Sequence, residues 1–324
     1  MNREQLAEHI VSTWHELSNQ GRVVYRGVKD SVAPLFLQAD GNTYSFLLQI
    51  KQSTKIDIKK KEYKNISIDI VNAGQSYKNI VVTLKNQRFY DIFIQIAVDI
   101  IISSMNLRNE SDYVNVFTSH LSKWGNMFNR NPDETLSKEK QLGLYGELLF
   151  ITEMLEEGIS PTDVVESWKG PDDEDKDFQV KGYGVEIKSS VKTNKIVKIN
   201  SIRQLDTEGF VRLFLYYRSF VRTDDGPNTL PEIISELRKV FASTPVQTDF
   251  ETKLLRAGFR DEHAQNYGYS YTALSYAIFN IDDSFPKIVV GNVMEGVLDV
   301  EYDLDLNALT SYEITYQQLF SNLV

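Results

Sequence analysis

The second half of this 324-residue chain predicts an α/β fold, a mixed central sheet flanked by helices. Three observations predict it. Leu136, Leu144, Leu148, Ile151 and Leu155 recur at helical spacing and stop at Gly158. Two short apolar runs follow between Asp177 and Lys188, with glycines between them as in a hairpin. A strand over 212–220, helices over 230–241 and 250–258, and strands over 269–279 and 287–298 then complete the alternation.

The elements before this region make a different unit. Residues 1–20 read as an amphipathic helix, and 22–87 as several strands rich in Val, Ile, Tyr and Phe, with turn signals at 40–42 and 72–74. Residues 88–106 are apolar at helical spacing, and a further helix covers about 109–128. This predicts an N-terminal α+β module over 1–128 and a second domain over 129–324, divided at the polar turn 129–133, with Trp124 and Phe128 as candidates to pack onto the second domain.

The helix from Leu136 carries Gly146 directly before Glu147. Glycine in a helix interior costs about 1 kcal/mol against alanine, so a close backbone approach is the reason to expect. Ser137 opens the helix, with Lys140 where a capping box would have an acid.

In the hairpin DFQVKGYGVEIK, Gly182 and Gly184 flank Tyr183 as a tight turn requires. On the second strand side chains alternate, so Val185 and Ile187 face a core while Glu186 and Lys188 share the other face. The turn brings Asp177 near Glu186, and two close carboxylates call for a shared proton, a basic neighbour or a bound cation. Oxygen ligands of this kind suit magnesium, with manganese the other fitting ion. Lys188 is then placed to orient or deprotonate a water, or to steady charge growing on a phosphate. The same Glu-x-Lys spacing also suits a plain surface pair. A literal Pro-Asp pair stands earlier, at Pro171 and Asp172, in an acidic run that reads as a loop. Asp177 is preferred because Phe178 and Val180 make it the start of a strand, and Asp175 is the alternative.

The order LSKEKQLGLYGELLF, WKGPDDEDKDF, VEIKSS and INSIRQLD resembles the PD-(D/E)XK nuclease superfamily, and within it the bacterial PD-(D/E)XK motif proteins, most closely over about residues 121–206. A weaker likeness continues at Phe285–Ile288 and from Tyr302 to Leu306. The resemblance implies a restriction-endonuclease-like core that cuts DNA with magnesium. It places the metal-binding helix glutamate on Glu147, the motif aspartate on Asp177, the second acid on Glu186 and the lysine on Lys188. It also implies a role in restriction or phage defence, with a homodimer and with methyltransferase or ATPase partners. The same family leaves room for an inactive nucleic-acid-binding or scaffold subunit, for a nuclease of RNA or single strands, and for a repair enzyme.

Beyond the four residues, Lys192, Lys195, Lys198 and Arg203 make a basic stretch suited to phosphates, in a chain whose net charge is −10. Gln204 is placed to orient a site carboxylate or water. A second cluster, Lys51, Lys55, Lys59, Lys60, Lys61 and Lys64, fits the wet side of an edge hairpin, with DNA contact as the sharper reading. Tyr267, Tyr269 and Tyr271 at spacing two predict one strand face, either structural or stacking on bases.

Composition narrows the chemistry. With no cysteine, disulfides and thiolate zinc sites are excluded. The four histidines are scattered, so histidine-dependent nuclease chemistry has no support, and no G-x-x-x-x-G-K-[ST] loop is present for ATP. No apolar run suits a membrane span and the N-terminal helix is unlike a signal peptide, so a cytoplasmic protein is expected.

Overall fold

Alternating apolar and polar side chains between turn residues make the region from Leu35 to Leu84 fold as antiparallel strands. A computed structural model describes the chain apart from residues 1, 2, 21–23, 57, 59, 60, 126, 132, 173, 192–194, 243 and 245, and its contacts divide the chain into units 1–134 and 135–324.

In the first unit, β1 (Val24–Gly27), β2 (Leu35–Asp40), β3 (Thr43–Lys51), β4 (Lys61–Glu62), β5 (Ile66–Ala73) and β6 (Tyr77–Leu84) form one sheet in the order β1-β2-β3-β6-β5-β4, all antiparallel. The helices α1 (Arg3–Ser18), α2 (Tyr90–Ser104) and α3 (Glu110–Lys123) complete it. Trp14 of α1 is fully buried, stacks on Phe93 of α2 at 5.5 Å, and donates its indole N–H to the Ser45 carbonyl of β3 at 3.0 Å. The segment after α3 is tied to the same unit. The Asn65 backbone N–H donates to the Phe128 carbonyl at 3.0 Å, its side-chain amide donates to the Arg130 carbonyl at 2.6 Å, and Arg88 pairs with Asp133 at 2.7 Å. The division therefore falls after Glu134, where the sequence placed it after Phe128. Trp124 donates to buried Asp99 and Phe128 packs on Tyr63, both within this unit. In the lysine-rich stretch, β4 forms a short exposed edge on β5; Lys59 and Lys60 lie outside the described residues.

The second unit is built on a five-stranded sheet in the order β13-β11-β10-β8-β7, from β7 (Phe178–Val180), β8 (Tyr183–Ser190), β10 (Arg212–Thr223), β11 (Ser270–Ile281) and β13 (Glu313–Ile314). β8 and β10 run parallel and the other neighbours antiparallel, which makes the sheet mixed. β9 (Ile196–Ile199) pairs instead with β12 (Tyr302–Asp305). The helices are α4 (Lys138–Glu156), α5 (Pro161–Ser167), α6 (Leu230–Phe241), α7 (Gln247–Ala257) and α8 (Tyr316–Leu323). Val185 and Ile187 join α4 residues Leu148 and Ile151 in one core, while Leu213, Leu215 and Tyr217 of β10 join Val197 and Ile199 in a second. Parallel register sets Glu186 beside Leu215 and Lys188 beside Tyr217, so the alternation read in the sequence is kept.

Two glycines set how closely the elements approach. A Cβ on Gly146 would lie 1.9 Å from Ser189 Oγ and 3.2 Å from its Cβ, so a side chain there would displace the Ser189 hydroxyl and crowd the approach of α4 to β8. Gly184 sits within β8, where a Cβ would meet Leu213 Cδ1 at 2.8 Å. The turn of the hairpin is therefore not Gly182-Tyr183-Gly184. It is Lys181-Gly182, both left-handed at φ 48° and 87°, the geometry of a two-residue hairpin turn.

Two other expectations are corrected. Residues 287–298 contain no strand; a single 3-10 turn, Val290–Asn292, lies there. Met294 and Leu298 are 84% and 91% exposed, so the segment has no apolar face to set against a sheet. The three tyrosines do not share a strand, since β11 begins at Ser270. Tyr267 lies before it and accepts the Leu136 N–H at 3.1 Å, and both Tyr267 and Tyr271 are buried in the core. Tyr269 is half-buried, with Lys138 and Arg222 over its ring at 4.9 and 4.7 Å.

The loop between α5 and β7 is anchored to α7. Asp172 accepts from Lys253 Nζ at 2.7 Å and Arg256 Nη1 at 2.5 Å, and Lys253 also donates to the Trp168 carbonyl. All three charged side chains are buried. Breaking such a buried pair from one side is strongly destabilising, so Asp172→Ala is expected to lower the unfolding free energy by about 3–5 kcal/mol in urea titrations. Gly146→Ala gains about 1 kcal/mol of helix propensity. Overpacking against Ser189 opposes it with about 1–3 kcal/mol, so the net change in the same titration is expected to be destabilising.

Candidate active site

Three carboxylates from three elements come together beside the hairpin. Glu147 of α4 is half-buried, and its Oε2 accepts the Trp168 indole N–H at 2.7 Å. Trp168 is fully buried, and a buried indole N–H needs an acceptor. Asp177 stands immediately before β7, and its Oδ2 accepts the Ile187 backbone N–H of β8 at 2.7 Å. Its own carbonyl accepts the N–H groups of Lys169 and Gly170 at 2.7 and 3.0 Å, which folds the 168–172 loop back over it. Glu186 of β8 is 2% exposed, and its Oε1 lies 2.9 Å from Lys188 Nζ.

Gly170 is the piece the sequence did not single out. A Cβ there would lie 2.9 Å from Glu147 Oε2 and 3.2 Å from Asp177 Oδ1. Glu147 and Asp177 thus border one cradle that any side chain at 170 would fill.

The electrostatics follow from crowding acids away from water. Burial, with the charge of Glu186 adding to it, pushes Glu147 up to about 7 even though the Trp168 hydrogen bond opposes the shift. Burial, then the charges of Glu186 and Glu147, holds Asp177 well above the usual aspartate value. Burial works against the charge on Lys188, but attraction to Glu186 and Asp177 outweighs it and raises its pKa. Lys188 is therefore a cation near neutral pH, which favours charge stabilisation over proton abstraction from water. Among the described residues no three His, Cys, Asp or Glu side chains are set as a ready-made metal group, and Glu186 turns instead to Lys188.

Gln204 serves the lysine. Its Oε1 accepts from Lys188 Nζ at 3.2 Å and from the Asn200 N–H at 2.9 Å, where the sequence suggested that it would orient a carboxylate or water. Lys176, also missed, is 2% exposed; its Nζ donates to the Arg203 carbonyl and lies 5.5 Å from the Phe210 ring centre. The signal for it was a lysine directly before the preferred aspartate. The basic stretch is less uniform than its sequence. Lys198 is exposed and paired with Glu301 at 2.5 Å, Lys195 is half-buried with a left-handed φ of 51°, and Arg203 is exposed on the turn that holds Gln204. Lys192 lies outside the described residues. Asp172 of the literal Pro-Asp pair points to α7, and Asp175 is exposed.

Because the folded state raises the Glu147 pKa above the ordinary 4.5, it binds a proton there that the unfolded chain has lost. That contribution to stability is complete below about 4.5 and is lost as pH rises through about 7. In metal-free buffer, the difference in melting temperature between wild type and Glu147→Gln is expected to move in favour of the variant across this window. A constant difference would refute the raised value.

Among family descriptions, "Putative PD-(D/E)XK family member, (DUF4420)" matches residues 10–307. No curated protein and no solved structure matches the chain. No described helix is long and apolar enough to cross a membrane. With a match that runs through most of both units, the chain belongs to the DUF4420 family, of PD-(D/E)XK type.

Proposed function

We propose that this protein is a metal-dependent endonuclease that hydrolyses DNA phosphodiester bonds, with Glu147, Asp177 and Glu186 as metal ligands and Lys188 as the catalytic cation. The observation that carries this reading is the cradle at Gly170, bordered by Glu147 and Asp177, with the Glu186–Lys188 pair on the adjoining strand. The donor set fits a hard divalent cation, magnesium before manganese: all oxygen, no sulfur, and two acids whose pKa values are raised by burial first and by neighbouring carboxylates second, the latter a repulsion that a cation would relieve. When bound, such an ion supplies Lewis acidity toward a phosphate ester.

The chain's own residues do the rest. Trp168 and the Ile187 N–H fix Glu147 through Oε2 and Asp177 through Oδ2, and at the cradle they leave Asp177 Oδ1 and the remaining lone pair of Glu147 Oε2 for a ligand. Lys188, charged and held by Gln204, offers its ammonium to the negative charge that grows on a phosphate in the transition state. Arg203, exposed on the same turn as Gln204, is a candidate contact for the phosphates alongside, with Lys195 and Lys198 beyond it.

The N-terminal unit is proposed to recognise DNA or a protein partner. Double-strand cutting requires two sites, so the working form is proposed to be a homodimer or an assembly with other restriction or phage-defence proteins, methyltransferases and ATPases among them. One observation favours a second reading, a nucleic-acid-binding subunit that does not cut: Lys188 already neutralises Glu186, and no ready-made metal group is set among the described residues.

Purified wild type and Lys188→Ala, incubated with unmethylated phage DNA, single-stranded DNA and RNA in magnesium or chelator, separate these readings. Magnesium-dependent cleavage of DNA is expected, and its rate is expected to fall at least about 100-fold in the variant. DNA binding with no cleavage by wild type would favour the non-cutting subunit, and preference for RNA would overturn the substrate.

A further inference from the structure

Lys176 is a buried ammonium in an unusual position. It is 2% exposed, and among the described residues it forms no ion pair, although Asp177 follows it directly. Charges are rarely buried unless paired, because removing an ammonium from water is unfavourable. What Lys176 does hold is the Arg203 carbonyl, with its ammonium over the Phe210 ring at 5.5 Å. The next residue is Gln204, whose Oε1 receives Lys188 Nζ at 3.2 Å, and Lys188 in turn lies 2.9 Å from Glu186. One peptide unit thus separates the group that Lys176 grips from the group that aims Lys188.

The turn has other restraints as well, among them the Arg203 N–H donating to Ser201 Oγ at 3.2 Å. Leu205 and Ile202 are buried and point it inward, and the Ile202 N–H donates to Asp299 Oδ1 at 3.0 Å. Within the turn the Gln204 N–H reaches the Ser201 carbonyl at 3.2 Å and the Asp206 N–H reaches the Arg203 carbonyl at 3.2 Å. The Arg203 carbonyl is therefore shared between a turn hydrogen bond and Lys176, and the latter fastens the turn to the segment that leads through Asp177 into β7.

We infer that Lys176 is a positioning residue, which fixes the 201–206 turn so that Gln204 holds Lys188 against Glu186. This rests on the nuclease reading for its kinetic consequence but not for its geometry. It joins the segment just before the hairpin to the lysine of its second strand by a path outside the sheet: Lys176, the Arg203–Gln204 peptide, Lys188.

The test uses the full-length protein as wild type, Lys176→Met, Lys176→Arg, Gln204→Leu and the Lys176→Met/Gln204→Leu double variant. Methionine keeps an apolar stem of similar length and removes the donor. Because the Asn200 N–H donates to Gln204 Oε1 at 2.9 Å, its hydrogen exchange reports where Gln204 sits, independently of any activity. The Ile187 N–H, bonded to Asp177, serves as the internal control for the hairpin. Faster exchange at Asn200 with Ile187 still protected is expected in Lys176→Met and Gln204→Leu, with recovery toward wild type in Lys176→Arg. On a cleaved DNA substrate, kcat is expected to fall about 10- to 100-fold in either single variant, as for loss of a group that orients a catalytic one, with KM changing less than twofold and the double variant no worse than the worse single. Unchanged exchange at Asn200 in Lys176→Met, or losses in kcat that multiply in the double variant, would overturn the inference. A wild type that cuts nothing would count against the nuclease reading alone, because the exchange arm still decides the position of Gln204.

Discussion

The candidate site in the second unit depends on three acids gathered where burial first, and their mutual repulsion second, opposes their charge. Like charges a few ångströms apart in a medium of low polarity repel far more strongly than they would in solvent, and the neighbouring residues answer that repulsion in turn. Trp168 gives one N–H to Glu147, the strand backbone gives another to Asp177, and Lys188 sets a full positive charge against Glu186. Two of the acids respond further by holding their protons more tightly. A folded protein gains nothing in stability from such crowding, and this is the physical ground on which the site is proposed.

Much of this was legible because strands and helices have fixed periods. Alternation alone separates Val185 and Ile187, which are buried in the core, from Glu186 and Lys188, which face the other way. Glycine at 146 reads as close packing for the same reason that it is unfavourable in a helix, and Ser189 is the atom group that would collide with anything larger. What was hidden depended on distant parts of the chain. Asp172 of the literal Pro-Asp pair is bonded by Lys253 and Arg256, which lie on a helix some eighty positions later and could not be paired with it from the sequence. Gln204 could be singled out, but not its partner, because the turn that carries it is placed by contacts across the unit. The apolar run at 287–298 looked like a strand because hydrophobicity does not reveal whether a sheet edge is there to receive it. Its Met294 and Leu298 point into solvent instead.

Lys176, just before the hairpin, and Lys188, on its second strand, are held in different ways. Lys188 is held by acids and stays charged, whereas burial lowers the pKa of Lys176, whose ammonium rests on a carbonyl and an aromatic face. Lys188 meets two acceptors, Glu186 Oε1 and Gln204 Oε1, whereas Lys176 meets one carbonyl beside an aromatic face.

The pairing of β9 with β12 bears on how the molecule is made. Glu147, Asp177, Glu186 and Lys188 are all synthesised before residue 190, yet β9, just ahead of the Gln204 turn, pairs with Tyr302–Asp305, and the turn itself is bonded to Asp299. A chain still on the ribosome therefore contains every acid and the lysine without the strand that braces them. Long-range closure of this kind is slow relative to local pairing, and the Gln204 turn gains this support only after residues 299–305 have been made.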